Sequence, residues 1–180
     1  MWKKTCLIVG IIALMAAPVI SQSVSLGPQV GYYKAQDADE GNFMGGVAWR
    51  FKFTKMLGLE ASINYRQEKY ADDALTVRSW PVMVTGLIYP LPIVYGAIGA
   101  GWYNTTYDYD ESRFSFLNDE TTQEFGWHFG GGVELPVGSS FKLAGDIRYV
   151  FLDYDFKEIP GTGDLNSNFF VITVGFLLNL

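Results

Sequence analysis

Hydrophobic residues occupy every second position along most of this chain, which is the periodicity of a β-strand with two different faces. Residues 43–53 show the pattern clearly, because Trp49 and Phe51 on one side alternate with Arg50 and Lys52 on the other. Five further segments repeat it, two more are apolar with no assigned phase (residues 75–89 and 93–107), and no amphipathic helix with a period of 3.6 residues stands out. The pattern therefore predicts an all-β chain of eight strands.

The predicted strands are separated by connections that alternate in length. The strands cover residues 24–34, 43–53, 59–66, 75–89, 93–107, 123–135, 141–151 and 168–180. The connections after the first, third, fifth and seventh strands are long and acidic, whereas the other three span a few residues. Tilted strands of about ten residues cross a bilayer, and outer-membrane barrels combine long extracellular loops with short periplasmic turns. Pro81 cannot donate to a ladder and predicts a bulge or an edge contact, so no inward face is assigned to residues 75–89.

The last strand favours a closed sheet over an open one. Every second residue from Phe170 to Leu180 is apolar, and an exposed apolar edge strand promotes aggregation. Pairing of this strand with both the seventh and the first strand would remove the edge. We therefore predict an eight-stranded antiparallel up-and-down transmembrane β-barrel.

The residues on the polar faces indicate which side of the wall faces lipid. A soluble lipocalin-like barrel would also alternate, but here the charges are mixed with glycine and alanine, which fit the crowded lumen of a small barrel. The predicted polar network of the lumen consists of Arg50, Lys52, Glu60, Arg66, Arg78, Glu124, His128, Glu134, Lys142, Asp146 and Arg148. The predicted lipid-facing or girdle residues are Phe43, Trp49, Phe51, Phe53, Tyr65, Phe125, Trp127, Phe129, Phe141, Tyr149, Phe151 and Phe176.

Two charged couples of this network lie symmetrically about short turns. Lys52 and Glu60 flank one turn and Glu134 and Lys142 another, so antiparallel pairing predicts that each couple is opposed in the lumen. A structural network that fixes register is favoured over a proton or solute path. Slipping one strand by one residue would move lumen charges into lipid, at about 2–4 kcal/mol each near the midplane.

The N-terminal residues 1–21 have the features of a secretory signal: Lys3 and Lys4, an apolar core, and small residues before a cleavage site near Ser21. The mature chain would then be one barrel domain, residues 22–180. Cys6 is the one cysteine and lies in the signal, which excludes a disulfide or a cysteine-based metal site from the mature chain. Loss of the two lysines changes the formal charge from -6 to -8, and an acidic exported chain is a poor candidate for nucleic-acid binding.

Candidate chemistry is sparse. His128 is the one histidine and has no serine at a near spacing, so a lipid A-modifying enzyme is disfavoured. Residues 96–101 are glycine-rich but lack the spacing and the helix of a phosphate loop. Acidic clusters at residues 37–40, 108–111 and 153–155 lack the ligand order of an EF-hand. We therefore predict no catalytic residue, no cofactor and no metal site. The aromatic residues interspersed with the acids are Tyr107, Tyr109, Phe114, Phe116 and Tyr154.

Four segments resemble the small outer-membrane β-barrel proteins, the OmpA/OmpX-like and OmpW-like group described as the outer membrane protein beta-barrel domain. They are residues 95–103, 125–134 and 146–151 and the final strand, and the resemblance covers residues 22–180. It implies export through the periplasm to the outer membrane of a Gram-negative bacterium, with outer-membrane lipid and lipopolysaccharide as neighbours. It also implies that the β-barrel assembly machinery recognises the last strand, where Leu180 replaces the family's usual aromatic residue.

Two functions are compatible with these features. The first is a structural or surface-interaction role, in which the acidic-aromatic extracellular loops contact a protein partner. The alternative is a narrow conduit for small hydrophobic solutes, as the OmpW-like resemblance allows. A lipid A-modifying enzyme ranks third.

Overall fold

The computed structural model describes residues 23–35, 41–70, 75–109, 120–152 and 168–180. They form eight strands: β1 Ser23–Ala35, β2 Asn42–Lys52, β3 Leu57–Tyr70, β4 Leu75–Leu91, β5 Val94–Tyr109, β6 Glu120–Val137, β7 Phe141–Leu152 and β8 Phe169–Asn179. No helix in the described part of the chain is long and apolar enough to cross a membrane. The prediction of an all-β chain of eight strands is confirmed.

The strands form a closed antiparallel barrel in chain order, because β1 pairs with β8 as well as with β2. Turns at residues 53–56, 92–93 and 138–140 lie at one end, which we call the turn end. The opposite end, which we call the loop end, carries the strand residues that flank the four remaining connections: Ala35, Asn42, Tyr70, Leu75, Tyr109, Glu120, Leu152 and Phe169. The up-and-down topology confirms the predicted barrel.

Several strands are longer than their hydrophobic patterns predict. β3 continues to Tyr70 and β4 begins at Leu75, and their ladder pairs these two residues. The prediction of a long connection after the third strand is therefore wrong, because the polar residues 67–70 pair through their backbones. The acidic clusters 37–40, 108–111 and 153–155, their interspersed aromatic side chains and the signal segment 1–21 lie outside the described residues or side chains.

Pro81 lies in a regular strand. It pairs with Tyr103 on β5 in an unbroken register, and the β3–β4 pairs on either side of it, Ile63↔Val82 and Arg66↔Ser79, share one register. The predicted bulge at Pro81 is wrong, since the missing N–H interrupts one ladder without shifting it. The register shift of this strand lies nearer the turn end, between Ile88 and Leu91.

The outer wall carries the large apolar side chains. Those predicted to face lipid or form girdles lie on this wall, exposed or half-exposed: Phe43, Trp49, Phe53, Tyr65, Phe125, Trp127, Phe129, Phe141, Tyr149, Phe151 and Phe176. Phe51 is the exception, since it is fully buried with its ring 5.0 Å from that of Trp49. The assignment of Phe51 to the lipid surface is therefore wrong. Its strand position points outward, but neighbouring protein atoms cover the ring.

β1 and β8 approach closely where they close the barrel. A Cβ atom on Gly27 would meet the carbonyl oxygen of Phe176. The following residue, Pro28, has no N–H, and the β1–β8 pairs pass from Leu26 directly to Gln29. The absence of a side chain at Gly27 is thus a requirement of ring closure.

We predict that Gly27→Val lowers the free energy of unfolding by about 1–3 kcal/mol, because the added side chain forces β1 away from β8. Gly45→Val is the matched control, since a Cβ at Gly45 meets nothing within 4 Å. The measurement is guanidinium unfolding of the refolded protein in lipid vesicles, followed by tryptophan fluorescence. Equal stability of the two variants would contradict the close approach.

Candidate functional site

The turn-end half of the lumen contains a continuous network of buried charges. Its carboxylates are Glu60 on β3, Glu134 on β6 and Asp146 on β7, all at most 6% exposed. Its guanidinium groups are those of Arg50 on β2 and Arg148 on β7. Alternation along each strand directs these side chains inward, away from lipid.

Arg50 connects its own strand, β2, to three other strands of the barrel. Its Nε donates to Glu60 Oε2 at 2.6 Å on the adjacent strand β3. Its Nη1 donates to Glu134 Oε2 at 3.1 Å on β6, four strands away around the ring. Its Nη2 donates to the Tyr95 hydroxyl at 2.9 Å. Guanidinium has several N–H donors in a fixed plane, which makes such multiple contacts possible.

Arg148 makes the second connection across the lumen. Its Nη2 lies 2.8 Å from Glu60 Oε1, which joins β7 to β3. Its Nε forms an ion pair with Asp146 Oδ1 at 2.9 Å, and its Nη1 donates to Thr85 Oγ1 at 3.2 Å. Glu60 thus accepts from Arg50 with one oxygen and from Arg148 with the other.

Glu134 forms ion pairs with the two lysines nearest the turn end. The ammonium groups of Lys52 and Lys142 lie 2.9 Å and 3.4 Å from its Oε1. The Tyr89 hydroxyl donates to its Oε2 at 2.9 Å, and the Lys52 ammonium lies 3.8 Å from the centre of the Tyr89 ring. This cation–π contact and the shared carboxylate hold Lys52 beside Tyr89.

His128 joins the network through a hydroxyl group. Its Nε2 lies 2.9 Å from Thr85 Oγ1, which also accepts from Arg148. Since both His128 and Thr85 are 0% exposed, an acyl chain in the membrane has no access to this pair. The arrangement therefore lacks the substrate access that a His-activated hydroxyl nucleophile needs.

The loop-end half of the lumen is mainly apolar. Its buried cluster comprises Tyr33, Met44, Met83, Tyr103, Val150, Leu152, Phe169 and Val171. The Arg66 guanidinium lies 4.6 Å from the ring centre of Phe169 and 5.2 Å from that of Tyr33. Arg66 is thus surrounded by aromatic faces, which favour a desolvated cation.

The structure separates the predicted lumen residues into groups. Arg50, Lys52, Glu60, Glu134, Lys142, Asp146 and Arg148 share one network, which His128 joins through Thr85. Arg66 lies in the apolar half. Glu124 is half-exposed on the inward-facing side of β6, opposite Tyr103.

Arg78 lies on the outer wall and is exposed, so its assignment to the lumen is wrong. On β4 the odd-numbered residues point inward, and Arg78 pairs with Gln67 and Thr106, which are also on the outward-facing side. Because residues 80–84 are apolar on both faces, the sequence does not indicate which face of β4 points inward.

The predicted opposition of the charged couples is also wrong. Glu60 lies opposite Arg50, and Lys52 lies opposite Gly58. Glu134 pairs with Ala144 and reaches Lys142 only diagonally. The centre of each turn lies one residue away from the midpoint of the predicted couple. Each charged residue therefore lies opposite a residue two positions from its predicted partner.

Sequence reasoning missed the hydroxyl groups of the network. Tyr95 donates to Asp146 Oδ2 at 2.8 Å, while Tyr89 and Thr85 bind Glu134 and His128 as described above. Thr85, Leu87 and Tyr89 alternate with outward residues on β4, so a settled inward face for β4 would have identified them. Within the described residues, no group of three or more His, Cys, Asp or Glu side chains could hold a metal ion.

Comparison with known proteins agrees with this architecture. The sequence model of the outer membrane protein beta-barrel domain family matches residues 5–176. The chain belongs to this family. It is therefore an outer-membrane β-barrel protein of Gram-negative type. A search of curated proteins found no match.

Solved structures share the fold at low sequence identity. A major outer membrane protein from Thermus thermophilus is 15% identical, with a TM-score of 0.65, and the alignment covers 88% of this chain and 98% of that one. Neisserial surface protein A is 10% identical, with a TM-score of 0.60 and coverage of 88% and 96%. Ail of Yersinia pestis, solved with the heparin analogue sucrose octasulfate, is 16% identical, with a TM-score of 0.53 and coverage of 88% and 97%.

We predict that Arg148→Met lowers the free energy of unfolding by about 3–5 kcal/mol, because it leaves buried carboxylates with fewer compensating charges. Lys142→Met is the matched control and costs about 1 kcal/mol or less, since Glu134 keeps Arg50 and Lys52 as partners. Guanidinium unfolding in vesicles measures both. Adding Glu60→Gln to Arg148→Met recovers part of the loss; a double variant less stable than the single one would contradict the pairing.

Proposed function

We propose that the membrane-spanning part of this protein is a closed scaffold, and that its function is a structural or surface-interaction role at the loop end. The observation that supports this proposal is the pair of ion contacts across the lumen. Arg50 on β2 reaches Glu134 on β6, and Arg148 on β7 reaches Glu60 on β3. Each pair joins strands four positions apart in a ring of eight.

A second layer supports the same proposal. At the loop end, the buried cluster around Tyr33, Tyr103 and Phe169 packs around Arg66. A solute passing through the lumen would have to displace this apolar layer and then break the ion pairs. A conduit thus requires two separate rearrangements of groups that are almost fully buried.

We predict that the refolded protein shows no discrete openings in a planar lipid bilayer. The double variant Arg50→Ala and Arg148→Ala is the positive comparison, because it removes both groups that cross the lumen. Discrete openings in the unmodified protein that become larger or more frequent in the double variant would favour the conduit over the scaffold.

The proposed interaction surface is acidic. The connections at the loop end hold 12 of the 19 acidic residues of the chain. These acids are Asp37, Asp39, Glu40, Asp72, Asp73, Asp110, Glu111, Asp119, Asp153, Asp155, Glu158 and Asp164, against the basic residues Arg113 and Lys157. Such a surface attracts a cationic partner and repels an anionic one. The partner we propose is therefore a protein with a basic surface, unlike the heparin analogue bound by Ail.

We predict that the protein in nanodiscs of uncharged lipid binds immobilised polylysine and fails to bind heparin. Changing Asp110, Asp153 and Asp155 to Asn weakens polylysine binding by about tenfold at low salt, because charged contacts of this kind depend on ionic strength. The control, Arg113→Gln with Lys157→Gln, keeps or strengthens binding. Binding to heparin, or an unchanged affinity for polylysine in the aspartate variant, would contradict an acidic interaction surface.

A further inference from the structure

An open cavity of about 410 Å³ lies at the turn end, between the turn 53–56 and the turn 92–93. Its polar lining includes Ser23, Thr54, Lys52 and Lys55, and its apolar lining includes Met56 and Leu91. The cavity therefore combines ammonium and hydroxyl donors with an apolar edge. Neither the scaffold role nor the acidic loop end makes use of it.

Positive charge accumulates around this cavity. Lys52 and Lys142 share one carboxylate oxygen, since Glu134 Oε1 lies beside both ammonium groups. The other oxygen of Glu134 is already bound by Arg50 and Tyr89. Lys55 adds a third ammonium group on the exposed turn. Of these three ammonium groups, those of Lys52 and Lys55 line the cavity.

The donors are held in place by neighbouring groups. The Lys52 ammonium rests on the face of Tyr89 at 3.8 Å, and the Tyr89 amide donates to Met56 O at 2.8 Å, which ties the two turns together. Thr54 Oγ1 accepts from the amides of Met56 and Leu57 at 3.1 and 2.9 Å. Its hydroxyl hydrogen is left as a donor, because a hydroxyl group has one hydrogen and two lone pairs.

The apolar edge of the cavity continues onto the membrane surface. Met56 and Leu91 are each 59% exposed, and the neighbouring Leu57 and Ile88 are 50% and 52% exposed on the outer wall. A ligand could therefore place an anionic group on the lysines and an apolar body along the barrel. Lysine is a common phosphate ligand and acts as a point charge.

We propose that this cavity binds a phosphate group, supplied by a phospholipid headgroup or by free phosphate. Short turns of outer-membrane barrels face the periplasm, so the lipid source is the periplasmic leaflet. The phosphate accepts from the ammonium groups of Lys52 and Lys55, each of which has three N–H donors, and from the Thr54 hydroxyl on the turn. This site is independent of the loop end.

The test uses the refolded, isotopically labelled protein in uncharged maltoside micelles. Inorganic phosphate and, separately, short-chain phosphatidylglycerol are titrated in, with chloride at equal ionic strength as the reference. The amide resonances of Thr54, Lys55 and Met56 are expected to shift with both probes and not with chloride. A phosphatidylglycerol affinity at least about tenfold above that of phosphate assigns the site to a lipid headgroup, since only the lipid gains apolar contact. Equal affinities assign it to the phosphate group alone.

Two variants and one control variant keep the test specific. Lys55→Gln leaves the buried network intact and is expected to weaken binding about three- to fivefold, as for an exposed ion pair. Lys52→Gln with Lys55→Gln is expected to weaken it about tenfold or more. Lys34→Gln removes an exposed lysine of β1 near the loop end and should leave the affinity unchanged. Absence of shifts with both probes, or equal affinity in all variants, would overturn the proposal.

Discussion

Two ion pairs across the lumen hold opposite walls of this barrel together, Arg50 with Glu134 and Arg148 with Glu60. A ring of eight strands has no internal layer between its walls, so each inward charge must find its partner across or along the ring. Strand register therefore determines which charges meet. Conversely, a slipped strand leaves charges without partners in a region of low dielectric constant, so the network selects the register.

The chemistry of the barrel changes along its axis. Acidic residues dominate the connections at the loop end, an aromatic layer around Arg66 lies below them, and the ionic network occupies the half nearest the turns. Lys52 and Lys55 line the turn-end mouth. The two surfaces that face water thus differ in sign, and an apolar layer separates them.

Most of the fold follows from periodicity, because alternation specifies both strands and faces once lipid is outside. The choice of partners within the lumen does not follow from periodicity. Symmetry about the turn centre predicts that Glu60 lies opposite Lys52, whereas Glu60 lies opposite Arg50, two positions away. The prediction for Arg78 is wrong because residues 80–84, around Pro81, are apolar on both faces of β4. For the same reason the sequence does not identify Thr85 and Tyr89 as inward-facing residues. Phe51 shows that an outward-facing position does not guarantee contact with lipid.

The seam between β1 and β8 has a kinetic consequence. It joins the two strands that are farthest apart in the sequence, and contacts of such high sequence separation form slowly because a long chain must first be ordered. The narrow fit of Gly27 against Phe176 adds a steric condition to this last step. Until it is met, the incomplete sheet has two unpaired edges, so the lifetime of that intermediate sets how long the chain must be protected from aggregation during assembly.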